Sequence, residues 1–369
     1  MSLAEKHIAT LAPYVPGRSE RDAQALYGFE HAVPLASNEN QLGPSPLAVE
    51  AVRAAASNLH RYPDGSGREL KTALASELGV DPAGIVLGNG SNEIIELVVR
   101  TFLRPGETVV FPRASFVVFG LATQAAGGTS REVPGVRREI DVDELLAAVG
   151  PEVRIVFVAN PNNPTGAHVS SGDLGRLLAG LPPHVVLAVD EAYIEYATDP
   201  ELTSSLTLAD PARAVITMRT FSKMYGLAGT RIGYAATRNL EVAGLLERVR
   251  QPFNVNALAQ VAALAALGDR EHVARTRAMN AAGLAQLEAG LAALGLEAAP
   301  SQGNFLLVDL AGRSGAVVAG ALERVGVFVR PVGIYGLPHA VRVTVGTAAQ
   351  NQRFLEALGP VLDATPGNR

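Results

Sequence analysis

The sequence predicts an α/β fold built on a mostly parallel sheet. Two observations carry that prediction. The first is a series of short, nearly continuous apolar runs, Ile85–Asn89, Thr108–Pro112, Ile155–Asn160, Val185–Glu191 and Val215–Thr220. Runs that do not alternate with polar residues suit strands buried on both faces. The second is the set of helical patterns between them, such as Ser91–Leu103, where Ile94, Ile95, Val98 and Phe102 share one face. Alternation of the two patterns is the mark of a layered α/β domain.

In chain order, an N-terminal segment ends in the turn-rich LASNENQLGPSP, Leu35–Pro46, and the five apolar runs follow with their helices. Between Thr220 and the next strand-like run, Arg231–Thr237, lie only about ten residues, too few for a parallel crossover with its helix. That run is therefore expected to lie antiparallel to Val215–Thr220. A long Ala/Leu-rich helical stretch, Leu258–Leu294, then leads away from the sheet. Beyond it NFLLVDL, VGVFVRP and VRVTVGT surround a helix at Gly315–Arg324, which reads as a smaller α+β domain. The expected division is an N-terminal arm at residues 1–35 packing with the small domain, a large domain at 36–257 and the small C-terminal domain at 258–369.

Composition removes several function classes. The 369 residues are 48% hydrophobic and 18% charged, with a net charge of −5 and no run of like charges. This gives no electrostatic footprint for nucleic acid or an anionic membrane. There is no cysteine, so disulfides, thiolate nucleophiles and cysteine metal sites are excluded. The first residues lack a signal peptide's basic start and sustained apolar core, and no apolar segment reaches the roughly 18 residues of a membrane span. The expected compartment is the cytoplasm.

Only three of the 31 basic residues are lysines, Lys6, Lys71 and Lys223. Of the two basic types, only lysine has an amine that can lose its proton and add to a carbonyl. Lys223, in TFSKMYGLAGTRIGY, follows a buried strand at its carboxyl end, where ligands collect in open α/β sheets. NPNNPTG (Asn160–Gly166), DEAY (Asp190–Tyr193), GNGSNE (Gly88–Glu93) and Arg231 fall at the same edge and should converge on one cleft. Gly88 and Gly90 permit close backbone approach. Ser91 and Asn92 open a helix whose free amides favour an anion; a plain N-cap is the commoner use of such residues, and both can hold at once. Asp190 ends the apolar run VVLAV, where an unpaired carboxylate is costly.

Taken in order from Asn38 to Thr347, these motifs resemble the fold-type I pyridoxal-phosphate (PLP) aminotransferases, over nearly the whole chain. The resemblance implies an aspartate aminotransferase-like fold with seven strands in the large-domain sheet, and PLP as cofactor. It implies that Lys223 binds the cofactor covalently, is displaced by the substrate amine and then moves the α-proton as a general base. Gly90, Ser91, Asn92, Thr220, Ser222 and Arg231 would surround the cofactor phosphate, joined by Tyr62 from a neighbouring subunit. Asp190 would pair with the pyridinium NH and keep the ring electron-accepting. Tyr193 and Asn163 would hydrogen-bond the phenolic oxygen, with Pro164 cis, and Phe116 would stack on the ring. A homodimer follows, with Tyr62 and Asn254 reaching the partner's site.

For the substrate, Arg342 in VRVTVGT matches the family arginine for the anionic group. Arg330 in VFVRP and Tyr14 in LAPYVPG align with phosphate-holding residues of the histidinol-phosphate aminotransferase branch. The phrases LASNENQLGPSP, RQPFNVN, QGNFLLVD and RPVGIYGLPHAVRVTVGT resemble that branch too, Gln41 departing from its usual proline. The substrates implied are histidinol phosphate with glutamate and 2-oxoglutarate. An aromatic amino acid aminotransferase is the nearest alternative, and a PLP-dependent decarboxylase of a phosphorylated amino acid a further one. Arg330 could instead be a strand-end arginine paired with a carboxylate, and Tyr14 a simple anchor.

Overall fold

The computed structural model describes residues 3–13, 19–135 and 139–367. Its central sheet has seven strands: β1 Ile85–Gly88, β2 Thr108–Pro112, β3 Thr129–Val133, β4 Val153–Ala159, β5 Val186–Asp190, β6 Val215–Thr220 and β7 Gly233–Ala236. They lie side by side in the order β1, β7, β6, β5, β4, β2, β3. As the short connection requires, β7 is antiparallel to both neighbours; the other neighbouring pairs are parallel. β3 is the strand that apolar runs do not reveal. It is an edge strand paired only with β2, and Thr129, Ser130 and Glu132 are exposed, so nothing selects for apolar side chains there.

Pleating sends successive residues of β4 to opposite layers. Ile155 and Phe157 pack with Ile94, Ile95 and Val98 of the helix Gly90–Phe102. Val156 and Val158 pack with Leu174 and Leu177 of the helix Ser171–Gly180. Full burial of side chains of this size stabilises by about 1.5–3 kcal/mol each.

The Ala/Leu-rich stretch is two helices rather than one, Ala257–Gly268 and Arg270–Ala293. The break falls at Asp269, whose carboxylate accepts from His272 N at 3.0 Å and from Ser45 Oγ at 2.6 Å. The first helix does not leave the large body: Ala259, Ala262, Ala263 and Ala266 pack against Ala48, Leu70 and Leu74. In the second helix, Leu287 and Leu291 pack with the C-terminal unit.

That unit is an antiparallel sheet of β8 Glu297–Ala298, β9 Phe305–Asp309, β10 Arg330–Pro331 and β11 Ala340–Thr344. The helices Gly315–Arg324 and Ala348–Ala364 cover it. VGVFVRP divides into two short strands: Arg330–Pro331 joins this sheet, while Val327–Phe328 pairs in parallel with Val33–Pro34. The N-terminal segment is thereby tied to the C-terminal unit. No helix among the described residues is long and apolar enough to cross a membrane.

Candidate active site

A cavity of about 650 Å³ opens at the carboxyl ends of β4, β5 and β6, and the C-terminal unit closes its far side. Its lining includes Ser91, Asn92, Phe116, Asn163, Asp190, Tyr193, Thr220, Ser222, Lys223, Arg231, Arg330 and Arg342. The residues expected to converge do so. Tyr14 lies outside the described residues, although Ala12 and Pro13 just before it reach the rim. Tyr62 is not in the lining. It is 83% exposed and stacks on the half-exposed Phe253, with ring centroids 4.9 Å apart. Asn254 is engaged within its own chain: its amide donates to Leu87 O and Glu93 Oε2 and accepts from Arg250.

Lys223 stands on the loop after β6, and its Nζ donates to Ser37 O at 3.0 Å with no carboxylate in ion-pair range among the described residues. Burial, reinforced by the Arg342 and Arg231 guanidiniums, brings its pKa down to about 7. A substantial share of the amine is therefore neutral near pH 7, as a nucleophile or base requires.

Asp190, the last residue of β5, is 5% exposed, and its carboxylate accepts one hydrogen bond among the described residues, from Ala192 N at 3.1 Å. Burial and the neighbouring Glu191 charge push it up to about 7. A buried carboxylate without a cation is costly, and a cationic ring nitrogen would satisfy it.

Tyr193 is buried, edge-on to Phe305, and its hydroxyl accepts from Asn38 Nδ2 at 3.0 Å. Burial raises its pKa to about 12, so it acts as a neutral hydrogen-bonding group. Asn163 Oδ1 accepts from Arg342 Nη1 at 2.5 Å, and Arg342 Nη2 donates to Ala36 O at 2.6 Å, which fixes the guanidinium plane. Asn160–Pro161 and Asn163–Pro164 are both cis.

The helix Gly90–Phe102 points its N-terminus at the cavity. Gly90 has φ 76°, and a Cβ there would lie 2.7 Å from Arg231 Nη2, so only glycine admits the arginine this close. Arg231 donates to Ala228 O and Asn89 O and, among the described residues, to no carboxylate. Thr220 and Ser222 add hydroxyls beside it, Thr220 Oγ1 donating to Ser222 Oγ at 2.9 Å. Helix amides, two hydroxyls and a guanidinium with no carboxylate partner among the described residues form an anion cradle. Phe116, half-buried and edge-on to Phe119, faces the same cavity.

Arg330 lies opposite Arg342 in the β10–β11 register, and its side chain makes no hydrogen bond or ion pair among the described residues. Among the described residues, the strand-end pairing with a carboxylate is therefore not made.

Two contributors were not singled out from the sequence. Asn38, buried at φ 54°, holds the Tyr193 hydroxyl, and Ser37 holds the Lys223 amine. Both sit in LASNENQLGPSP, and the signal was an asparagine in a turn-rich segment, a residue that tolerates the left-handed region.

The geometry agrees with what related proteins are. The Aminotransferase class I and II family matches residues 30–358. A Pseudomonas aeruginosa protein named Histidinol-phosphate aminotransferase 2 is 49% identical over 364 residues, covering 98% of each chain. An Anaeromyxobacter histidinol-phosphate aminotransferase is 47% identical, covering 99% of this chain and 100% of that protein. Among solved structures, the Sinorhizobium meliloti histidinol-phosphate aminotransferase in complex with pyridoxal-5'-phosphate superposes with a TM-score of 0.90 at 30% identity, covering 99% of this chain and 98% of that one. Thermus thermophilus aspartate aminotransferase with maleate gives 0.85 at 25% identity, covering 98% and 100%. The chain belongs to the aminotransferase class I and II family. It is a PLP-dependent transaminase of aspartate aminotransferase-like fold.

Proposed function

We propose that the chain transfers an amino group between histidinol phosphate and 2-oxoglutarate. The observation that carries the substrate assignment is Arg330, a guanidinium on the cavity wall with no anionic partner among the described residues, next to the oriented Arg342. Two adjacent guanidiniums suit a dianionic phosphate, while Arg342 alone suffices for a carboxylate. The relatives named above support the same reading.

Pyridoxal phosphate, when bound, supplies a reactive carbonyl carbon and an electron-accepting ring. Ser91, Asn92, Thr220, Ser222 and Arg231 hold its phosphate, with Gly90 giving the close approach. Asp190 pairs with the ring nitrogen. Tyr193 and Asn163 would hydrogen-bond its phenolic oxygen, and Phe116 would supply an aromatic wall for the ring. Lys223 would be the amine that holds the cofactor's carbonyl carbon and, when freed by the substrate amine, the base that takes the proton from the substrate's α-carbon. Its depressed basicity fits both roles.

Tyr62 reaches the phosphate of a partner subunit in a homodimer. Its exposed stack on Phe253 supports this, since an aromatic pair of that kind is costly to leave in water. The three units are kept with two changes from the sequence expectation: the helix Ala257–Gly268 docks on the large unit, and the helix Lys6–Ala9 of the arm packs on the large unit's helix Val118–Ala125, Gln124 Nε2 donating to His7 O at 3.0 Å.

Initial rates with histidinol phosphate beside phenylalanine and tyrosine, using 2-oxoglutarate as acceptor, test the substrate. Preference for the phosphorylated amine is expected; preference for an aromatic amino acid would assign the alternative instead.

A further inference from the structure

Behind the cavity, on the other side of the carboxyl ends of β5 and β6, lies a buried charged cluster. Glu191 follows Asp190 and Arg219 precedes Thr220, and neither lines the cavity. Strand pleating turns each away from its cavity-facing neighbour. Arg219 Nε and Nη2 both donate to Glu191 Oε2, at 3.1 and 2.8 Å. Glu191 Oε1 accepts from Ser205 N at 2.6 Å and Ser205 Oγ at 2.8 Å, and Ser204 Oγ donates to Oε2 at 2.8 Å. The Glu191 side chain is 1% exposed. Glu191 N also donates to Met218 O at 2.8 Å, so the two strand ends are joined by backbone as well.

The other ionisable groups facing this pair do not balance Glu191. Glu195, on the turn Ile194–Tyr196, is pushed up to about 7 by burial. The phenols of Tyr196, of Tyr225 and of Tyr234, opposite Arg219 in the β6–β7 register, are all raised by burial and stay neutral. Glu77 is held by Arg270, and Arg277 Nε donates to the Glu195 carbonyl. On the cavity side, Asp190 is faced by Lys223 and Tyr193. Arg219 is therefore the cation that neutralises Glu191.

We propose that Arg219 is a positioning residue for the cofactor: by offsetting part of the Glu191 charge directly behind Asp190, it favours the carboxylate form of Asp190 that faces the ring nitrogen of pyridoxal phosphate. This rests on the reading of Asp190 as the ring-nitrogen partner. Without Arg219 the Glu191 charge acts through a poorly screening interior on its chain neighbour. A like charge at that range drives a carboxyl to take up a proton. A protonated Asp190 no longer favours a cationic ring, and the cofactor is held less well. The ion pair also ties the end of the Asp190 strand to the end of the strand that leads to Lys223, so position and charge act together, and the test must separate them.

The test is the pH dependence of PLP binding to the apoprotein, followed by equilibrium dialysis. Arg219→Gln keeps a hydrogen-bond donor and loses the charge; Arg219→Lys keeps the charge. Arg219→Gln should weaken the cofactor about tenfold at pH 7, equivalent to moving the acid limb up by about one pH unit, and the deficit should shrink as pH rises. Arg219→Lys should stay within about twofold of the parent, and the double variant Arg219→Gln/Glu191→Gln should recover the parent's limb. Glu191→Gln alone should move the limb to lower pH, which keeps the test decisive if Arg219→Gln does not fold. A parent-like limb in Arg219→Gln, or in Glu191→Gln where Arg219→Gln does not fold, would overturn the proposal. So would a double variant as weak as the single one at every pH. Asp190→Asn is the separating control: undiminished PLP binding there would overturn the reading of Asp190 itself.

Discussion

Two polar regions sit back to back at the carboxyl ends of β5 and β6, and they are balanced in opposite ways. Behind the strands, Glu191 is saturated by Arg219, Ser204 and Ser205. In front, Asp190, Lys223, Arg231 and Arg330 make no ion pair among the described residues. Folding tends to pair buried charge wherever only stability is at stake, because the unpaired state costs several kcal/mol. Charges left unbalanced around one cavity mark a place where binding, not folding, completes the pairing. The two interior lysines repeat the contrast: Lys71 is paired with Glu247 at 2.6 Å, whereas Lys223 donates to the Ser37 carbonyl and lies over the Tyr193 ring, with no carboxylate partner among the described residues.

The largest effect that can break this comparison is at Lys223. Lys223→Ala should lower turnover at least about a thousandfold, with the fold intact by circular dichroism; residual turnover near the parent's would place the chemistry elsewhere. Next is Arg330→Met, which should raise KM for histidinol phosphate about ten- to a hundredfold and leave the half-reaction with glutamate nearly unchanged. Equal losses with both amines would mean that Arg330 serves the site generally, not a phosphate.

A third effect concerns pH. In the apoprotein the Asp190 pKa is raised from 3.8 to about 7, so between those values the folded state holds a proton that the unfolded chain has released. Its contribution to stability therefore falls as pH rises through that window. Lys223 is lowered from 10.5 to about 7, and there stability rises with pH, from about 7 toward 10. Asp190→Asn should accordingly flatten the fall on the acid side, read as the difference in apoprotein melting temperature between variant and parent. The smallest effect is Lys71→Met, which removes a paired lysine and should cost about 1 kcal/mol or less in denaturant unfolding, with kcat/KM unchanged.

Much of this contrast was legible in the sequence, and the limits have physical causes. Six of the seven central strands announced themselves because burial on both faces demands unbroken apolar runs. β3 did not, since an edge strand needs no such run. The break at Asp269 was hidden because alanine-rich helix lies on both sides of it. In the cavity, Lys223, Asp190 and Asn163 stood out because each ends or soon follows a strand, and Arg231 because it opens a strand-like run at the same edge. Asn38 did not: its contact with Tyr193 spans 155 residues of chain and depends on how the N-terminal segment docks. Whether Arg330 was paired or free could not be read from one strand either, because the answer lies in what its neighbours lack.

The chemistry depends on which amine carries the cofactor, and the chain offers three lysines. Borohydride reduction of the PLP-loaded protein, followed by peptide mass mapping, should place the reduced pyridoxyl group on Lys223. Its recovery on Lys6 or Lys71, or on no lysine, would contradict the account.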